Sequence, residues 1–324
     1  MSRAIRALLH GAIDYAGLFP PAALDMRTAM TNFAAYLRSD DAWALGRFVV
    51  PAARLAEFGM VADEIITVTS PAMPASLAPL LDVTGLGGLV NVAPVLGIAG
   101  NGRWSVSAIV GAHVDADTAR VYDFNAARGH LAEIDSVEAK ATTENEVRSL
   151  AEAFPDKAVF VEIPIDRKPD ALVDAIAAAG LRAKVRTGGV TADAFPLPGA
   201  LLDFLVACHT RRVRFKATAG LHHALRSRYR LTYQPVSDEA TMFGFLNVLL
   251  AAAFLRLGAP ERDVLRLLEE DSLSGIRVEE DVIAWRDHAL TVDRISETRF
   301  DFATSFGSCS FTEPIDELRS LHLI

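Results

Sequence analysis

Two short stretches, Lys184-Val-Arg-Thr-Gly-Gly189 and Lys216-Ala-Thr-Ala-Gly220, repeat one arrangement: an apolar run, a lysine, a small hydroxyl residue and a glycine. The lysines lie 32 residues apart, close to the length of one βαβ unit. That spacing predicts two ammonium groups on neighbouring parallel strands, aimed the same way. Cations crowded together disfavour each other's charge, which would keep one amine neutral. A neutral lysine attacks carbonyl carbon and forms a Schiff base, an electron sink for carbon–carbon cleavage. The competing reading pairs each lysine with a carboxylate, Glu138 or Glu162, as ion-pair filling.

Other candidates cluster around these two. Arg186-Thr187-Gly188-Gly189 joins a planar bidentate donor to a glycine pair whose amides can approach an anion, which suits a substrate carboxylate or phosphate. A tight strand–helix turn would need the same glycines. Glu138 and Lys140, near the end of an earlier run, join the substrate-binding set. His222 and His223 follow the second lysine; in extended chain only one of them faces the site, where it could act as a base. The N-terminal His10-Gly-Ala-Ile-Asp14-Tyr15 segment reads either as a cap on the barrel or as a donor of His10 and Asp14 to substrate. Ser305-Phe-Gly-Ser308-Cys-Ser310 precedes a helix at Glu313–Leu321, a setting in which backbone amides bind anions. Cys309 has no evident partner in the sequence.

The elements that must position these residues alternate. Candidate strands are Arg47–Pro51, Ile65–Thr69, Leu89–Val92 or Val106–Val110, Ile134–Ala139, Ala158–Pro164, Arg182–Arg186 and Arg214–Thr218. Helical stretches at Thr143–Phe154, Pro169–Ala179 and Pro198–Thr210 separate the later ones, with Thr142 or Thr143 as a cap and Gly180 as a terminator. Such alternation implies a parallel sheet. Asp135, Glu138, Glu162, Lys184, Arg186 and Lys216 interrupt four consecutive strands. A doubly wound sheet covered on both faces would exclude them, whereas a barrel opening at its strand ends accommodates them. The expected fold is therefore a (β/α)8 TIM-type barrel spanning residues 1–324 as one domain. Residues 1–46 are expected to form an N-terminal arm or cap, and 221–298 a helical insertion before the last strand. In that insertion Phe243–Leu257 reads as a buried helix and Val278–Trp285 as an exposed strand. Arg299–Ala303 is expected to be the eighth strand.

The lysine motifs resemble those of the deoxyribose-phosphate aldolase family, class I enzymes with a Schiff-base lysine. Lys184-Val-Arg-Thr-Gly is similar to the family's Lys-Thr-Ser-Thr-Gly strand, and Lys216-Ala-Thr-Ala-Gly to its Lys-Ala-Ser-Gly-Gly strand. Glu133-Ile-Asp135-Ser-Val resembles the strand with a catalytic aspartate, Phe160-Val-Glu162 a strand ending in glutamate, and Arg299-Phe-Asp-Phe-Ala-Thr-Ser the last strand with its phosphate loop. The resemblance implies Lys184 as nucleophile, Lys216 as the cation that lowers its pKa, and Asp135 with Glu162 in proton transfer. It covers roughly residues 130–220 and the short tail. Arg186 stands where the family has serine, and Leu221-His222-His223 where it has a phosphate loop.

Bulk properties narrow the partners. A net charge of −9 argues against nucleic acid, and 51% hydrophobic residues support a large core. Two cysteines, Cys208 and Cys309, fit a reducing compartment, and the first ten residues make a poor signal peptide. A cytoplasmic enzyme of small-molecule metabolism is expected, without cofactor or membrane partner and with self-assembly left open. The expected activity is a Schiff-base aldolase or related lyase on a small anionic carbonyl compound. One alternative is a metal-dependent barrel hydrolase in which His222 and His223 join His113 and Asp115, or His10 and Asp14, as ligands. The other is a non-catalytic barrel within an assembly.

Overall fold

Six of the expected apolar runs, one unforeseen strand and a last strand displaced along the chain become neighbours in a closed sheet. The computed structural model describes residues 1–69, 98–99 and 103–324. In chain order its strands are β1 (Ile13–Tyr15), β2 (Leu45–Pro51), β3 (Ile98–Ala99), β4 (Arg103–Ile109), β5 (Ala132–Lys140), β6 (Ala158–Glu162), β7 (Arg182–Arg186), β8 (Phe215–Thr218), β9 (Ser227–Arg230), β10 (Glu239–Met242), β11 (Ile276–Val278), β12 (Val282–Trp285), β13 (His288–Thr291) and β14 (Ala303–Ser308). The helices are α1 (Arg3–Leu9), α2 (Met26–Tyr36), α3 (Leu55–Thr69), α4 (Val114–Arg128), α5 (Glu144–Ala153), α6 (Asp170–Ala178), α7 (Pro198–Thr210), α8 (Phe245–Arg256), α9 (Glu261–Leu268), α10 (Val292–Asp301) and α11 (Thr312–Ser320).

Eight parallel strands run β2-β1-β14-β8-β7-β6-β5-β4, and pairing of β2 with β4 closes the barrel. Helices alternate with the strands, as a (β/α)8 barrel requires. The capping box at Thr143 starts α5, and Gly180, with a positive φ of +68°, follows the end of α6.

Several expectations change. The supposed N-terminal arm supplies the first barrel strand, β1, which lies between β2 and β14. Three residues suffice there because Ile13, Asp14 and Tyr15 are all buried. Ile65–Thr69 is the last turn and a half of α3, not a strand. Leu55, Phe58, Ala62 and Ile66 form its buried stripe at helical spacing, which outweighs the β-branched run. Leu89–Val92 lies outside the described residues, and Val106 begins the inner part of β4. The last strand is Ala303–Ser308 rather than Arg299–Ala303. Arg299 sits in the final turn of α10, and the expected serine loop is mostly strand, because its small residues fill the barrel interior.

The insertion between β8 and β14 is not purely helical. It holds the β9–β10 hairpin and the three-stranded β11-β12-β13 sheet besides α8, α9 and α10. Val278–Trp285 therefore splits into two antiparallel strands, and Ile283, Ala284 and Trp285 are buried. Helix α8 is buried from Phe245 to Leu255 and takes the barrel helix position between the last two parallel strands. Asn247, fully buried within it, donates to the Leu267 and Glu270 carbonyls and accepts from the Arg226 amide, tying the insertion together.

Candidate active site

Register decides which side chains share a level inside the barrel. Glu162, Lys184, Lys216 and Ser305 are aligned across β6, β7, β8 and β14, so they form one row around the wall. Alternation along each strand turns all four inward. The two lysines are thus neighbours, as the 32-residue spacing predicts.

They are not, however, bare cations facing each other. Glu138 reaches in from β5 and bridges them, with Oε2 2.7 Å from Lys184 Nζ and Oε1 2.7 Å from Lys216 Nζ. Lys216 also meets Asp14 Oδ2 at 2.5 Å, and Lys184 meets Glu162 Oε2 at 2.9 Å. Arg186 Nε closes the row on Glu162 Oε1 at 3.0 Å. Three carboxylates therefore face three cations in one chain. Hydroxyls complete it: Ser107 donates to Glu138 Oε1 at 2.7 Å and Ser305 to Asp14 Oδ2 at 2.8 Å. The Arg47 amide donates to Asp14 Oδ1 at 2.8 Å. Gly46 makes room for that carboxylate, since a Cβ there would lie 2.4 Å from Asp14 Oδ1.

These contacts set the charges. Burial opposes ionisation of Glu138, but the Lys184 and Lys216 ammonium groups outweigh it and hold the carboxyl far below its usual range. Burial likewise opposes ionisation of Glu162, and Lys184 and Arg186 overcome it. For Lys216 burial favours the neutral amine, yet Asp14 and Glu138 prevail and raise its pKa. Lys216 is therefore a fixed cation. The expected role, a cation that discharges Lys184 directly, fails because Glu138 stands between the two and neutralises the repulsion.

Above this floor opens a cavity of about 990 Å³ at the C-terminal ends of the strands. Glu138, Glu162, Lys184 and Lys216 line its base, and Lys140, Arg186, Gly189, His222 and His223 its walls. Lys140 is exposed, its Nζ 4.0 Å from Glu162 Oε1. The Arg186 side chain is 45% exposed, so the guanidinium remains open to an anion.

Other sequence candidates sit elsewhere. Asp135 is the extra residue of a β-bulge, since Val106 pairs with Ile134 and Ser107 with Ser136. It stands below the lysine row and binds Arg47 through two hydrogen bonds of 2.8 and 2.7 Å. Glu138, three residues on, occupies the position expected of Asp135. His10 caps α1, where burial and the nearby Arg6 and Arg299 lower its pKa, and is not among the cavity residues. Asp14 is 1% exposed and braces Lys216 instead of meeting substrate. Thr187 is fully buried and donates to the Ala219 carbonyl at 2.6 Å, tying the β7 and β8 loops together. Gly188 serves packing, because a Cβ there would lie 2.4 Å from the Phe195 ring.

The two histidines do not diverge as extended chain would make them. Each lies against α11: His222 Nδ1 is 3.3 Å from Glu313 Oε2, and His223 Nδ1 is 3.5 Å from Glu317 Oε2. Ser308 Oγ lies 3.3 Å from His222 Nδ1, a side-chain contact in place of the expected anion loop. Among the described residues, no three His, Cys, Asp or Glu side chains gather in a metal-holding group. His113 caps α4 with Asp115 in its first turn, away from the barrel floor. No described helix is long and apolar enough to cross a membrane.

No family model matches the chain, and no curated protein matches it either.

Proposed function

We propose that the protein is a Schiff-base-forming aldolase or related lyase acting on a small anionic carbonyl compound. The observation that carries this reading is Glu138, whose carboxylate bridges two lysines at the base of an open cavity. A lysine becomes nucleophilic at neutral pH when a base within hydrogen-bond reach takes its proton. Lys184 has two such bases, Glu138 and Glu162. As the proton leaves for a carboxylate, Nζ attacks the substrate carbonyl carbon, and loss of water gives the iminium. The iminium accepts the electron pair released when the adjacent carbon–carbon bond breaks. As that bond breaks, Glu138 takes the proton of the hydroxyl on the departing carbon, which leaves as an aldehyde, and Glu138 then gives this proton to the enamine carbon.

Lys216 stays charged throughout, orients Glu138 and keeps its conjugate acid a willing proton donor. Arg186 supplies the donor fork for a substrate carboxylate or phosphate. A barrel with a purely structural ion-pair floor is the second reading, favoured by the fixed position of Lys216 between Asp14 and Glu138.

Exchange of pyruvate methyl protons with heavy water, followed by proton NMR, separates the two. Iminium formation acidifies those protons, so the protein should accelerate exchange at least about 100-fold. Lys184→Met should return it to the uncatalysed rate. That variant should fold, since Glu162 keeps Arg186 and Glu138 keeps Lys216 and Ser107. Equal exchange with and without Lys184, or none in the native protein, contradicts the proposal.

A further inference from the structure

Cys309, which the sequence left without a partner, follows β14 on the wall of the cavity and is surrounded by groups that serve thiol chemistry. His222 Nδ1 and Nε2 lie 3.8 and 3.9 Å from its Sγ; Nδ1 also faces Glu313 Oε2 at 3.3 Å, which leaves Nε2 as the nitrogen that serves the sulfur. This is the order nucleophile, base, orienter. The Tyr233 hydroxyl, 3.5 Å from Sγ on the other side, adds a donor beside the sulfur. The loop after β8, the loop after β9, the segment after β14 and α11 each supply one member of the cluster.

We propose that Cys309, His222 and Glu313 form a second covalent site in this cavity, a thiol nucleophile that takes an aldehyde as a hemithioacetal. The thiol proton passes to His222 Nε2 and Sγ attacks the aldehyde carbon. The C–S bond forms, the carbonyl π pair moves to oxygen, and that oxygen takes the proton back from His222. The step adds S–H across C=O, reverses by the same path and consumes no further reactant. Glu313 holds the ring through Nδ1 and stabilises the imidazolium.

The charge balance agrees. Burial alone would lower the His222 pKa, but contacts with Cys309 and Glu313 raise it to about 9. The raised value means that the ring holds well the proton it takes from the thiol. Cys208 provides the internal contrast: both cysteines are buried, but Cys208 lies inside α7 with its pKa raised by burial, whereas Cys309 borders the cavity. The site does not depend on Lys184 chemistry, although an aldehyde suits both.

Alkylation by iodoacetamide, mapped on the two cysteine peptides by mass, tests it. Cys309 should react while Cys208 does not. His222→Ala should slow Cys309 at least about ten-fold, and added imidazole should restore part of the rate. Glycolaldehyde should protect Cys309 in the native protein and equally in Lys184→Met. Unchanged alkylation in His222→Ala overturns the proposal, as does a failure of glycolaldehyde to protect native Cys309. Protection lost in Lys184→Met also overturns it, because the aldehyde then resides on the lysine. Should His222→Ala not fold, protection in the native protein and in Lys184→Met decides alone. None of these outcomes bears on methyl exchange at Lys184, so the two readings fail separately.

Discussion

Glu138→Gln is expected to abolish methyl exchange and to cost about 3–5 kcal/mol of folding stability, because it strips a buried pair of lysines of their shared carboxylate. The amide matches the carboxylate in shape and can still accept from one ammonium. It cannot neutralise two, and it directs an N–H toward a cation. Catalysis loses the base that lies 2.7 Å from Lys184 Nζ, an effect on the order of 100- to 10,000-fold.

The stability deficit should depend on pH in a defined way. In the native protein the Glu138 carboxyl titrates below its ordinary value of 4.5. Its contribution is therefore complete above pH 4.5 and fades as pH falls through the lowered folded value. Lys216 titrates above its ordinary value of 10.5, so its contribution is complete below that and fades as pH rises through the raised value. The gap between native protein and Glu138→Gln should be widest between these limits and narrow on both sides. Urea titrations across pH measure it, and a gap that does not vary with pH would mean that the carboxylate is not ion-paired.

The second large effect is expected from Lys216→Met, at about 3–5 kcal/mol. Asp14 is 1% exposed, and Lys216 is its ion-pair partner. Without the lysine, Asp14 keeps only Ser305 and the Arg47 amide, and Glu138 keeps Lys184 and Ser107. The variant should be least stable at neutral pH and recover in acid, as the unpaired carboxylates protonate. Asp14→Asn should rescue part of the loss, giving a coupling of roughly 1–3 kcal/mol in a double-mutant cycle. Additive losses would mean that the two charges do not act as a pair.

The sequence made the barrel legible through its charged strands, and through the spacing that puts Lys184 beside Lys216. Lysine is also scarce: five of the 32 basic residues are lysine, and two of those five sit on this floor. Arginine, always charged, could fill an ion pair but could not become a nucleophile. Three features stayed hidden for physical reasons. A three-residue strand such as β1 carries too little periodicity to distinguish it from a loop. The bulge at Asp135 shifts the inward phase of β5, so counting by twos selects the wrong carboxylate. Cys309 and His222 are 87 residues apart and meet because β8 and β14, which they follow, are neighbouring barrel strands separated in sequence by the insertion. Their pairing leaves no local pattern, whereas the lysines, on consecutive strands, do.

Reductive trapping tests the central claim most directly, because the scarcity of lysine makes its peptide map unambiguous. Native protein incubated with glyoxylate and borohydride should gain the mass of one reduced adduct, on the peptide that holds Lys184. Lys184→Met should gain none. An adduct on Lys216 or Lys140 instead, or an unmodified native protein, would contradict Lys184 as the amine that attacks.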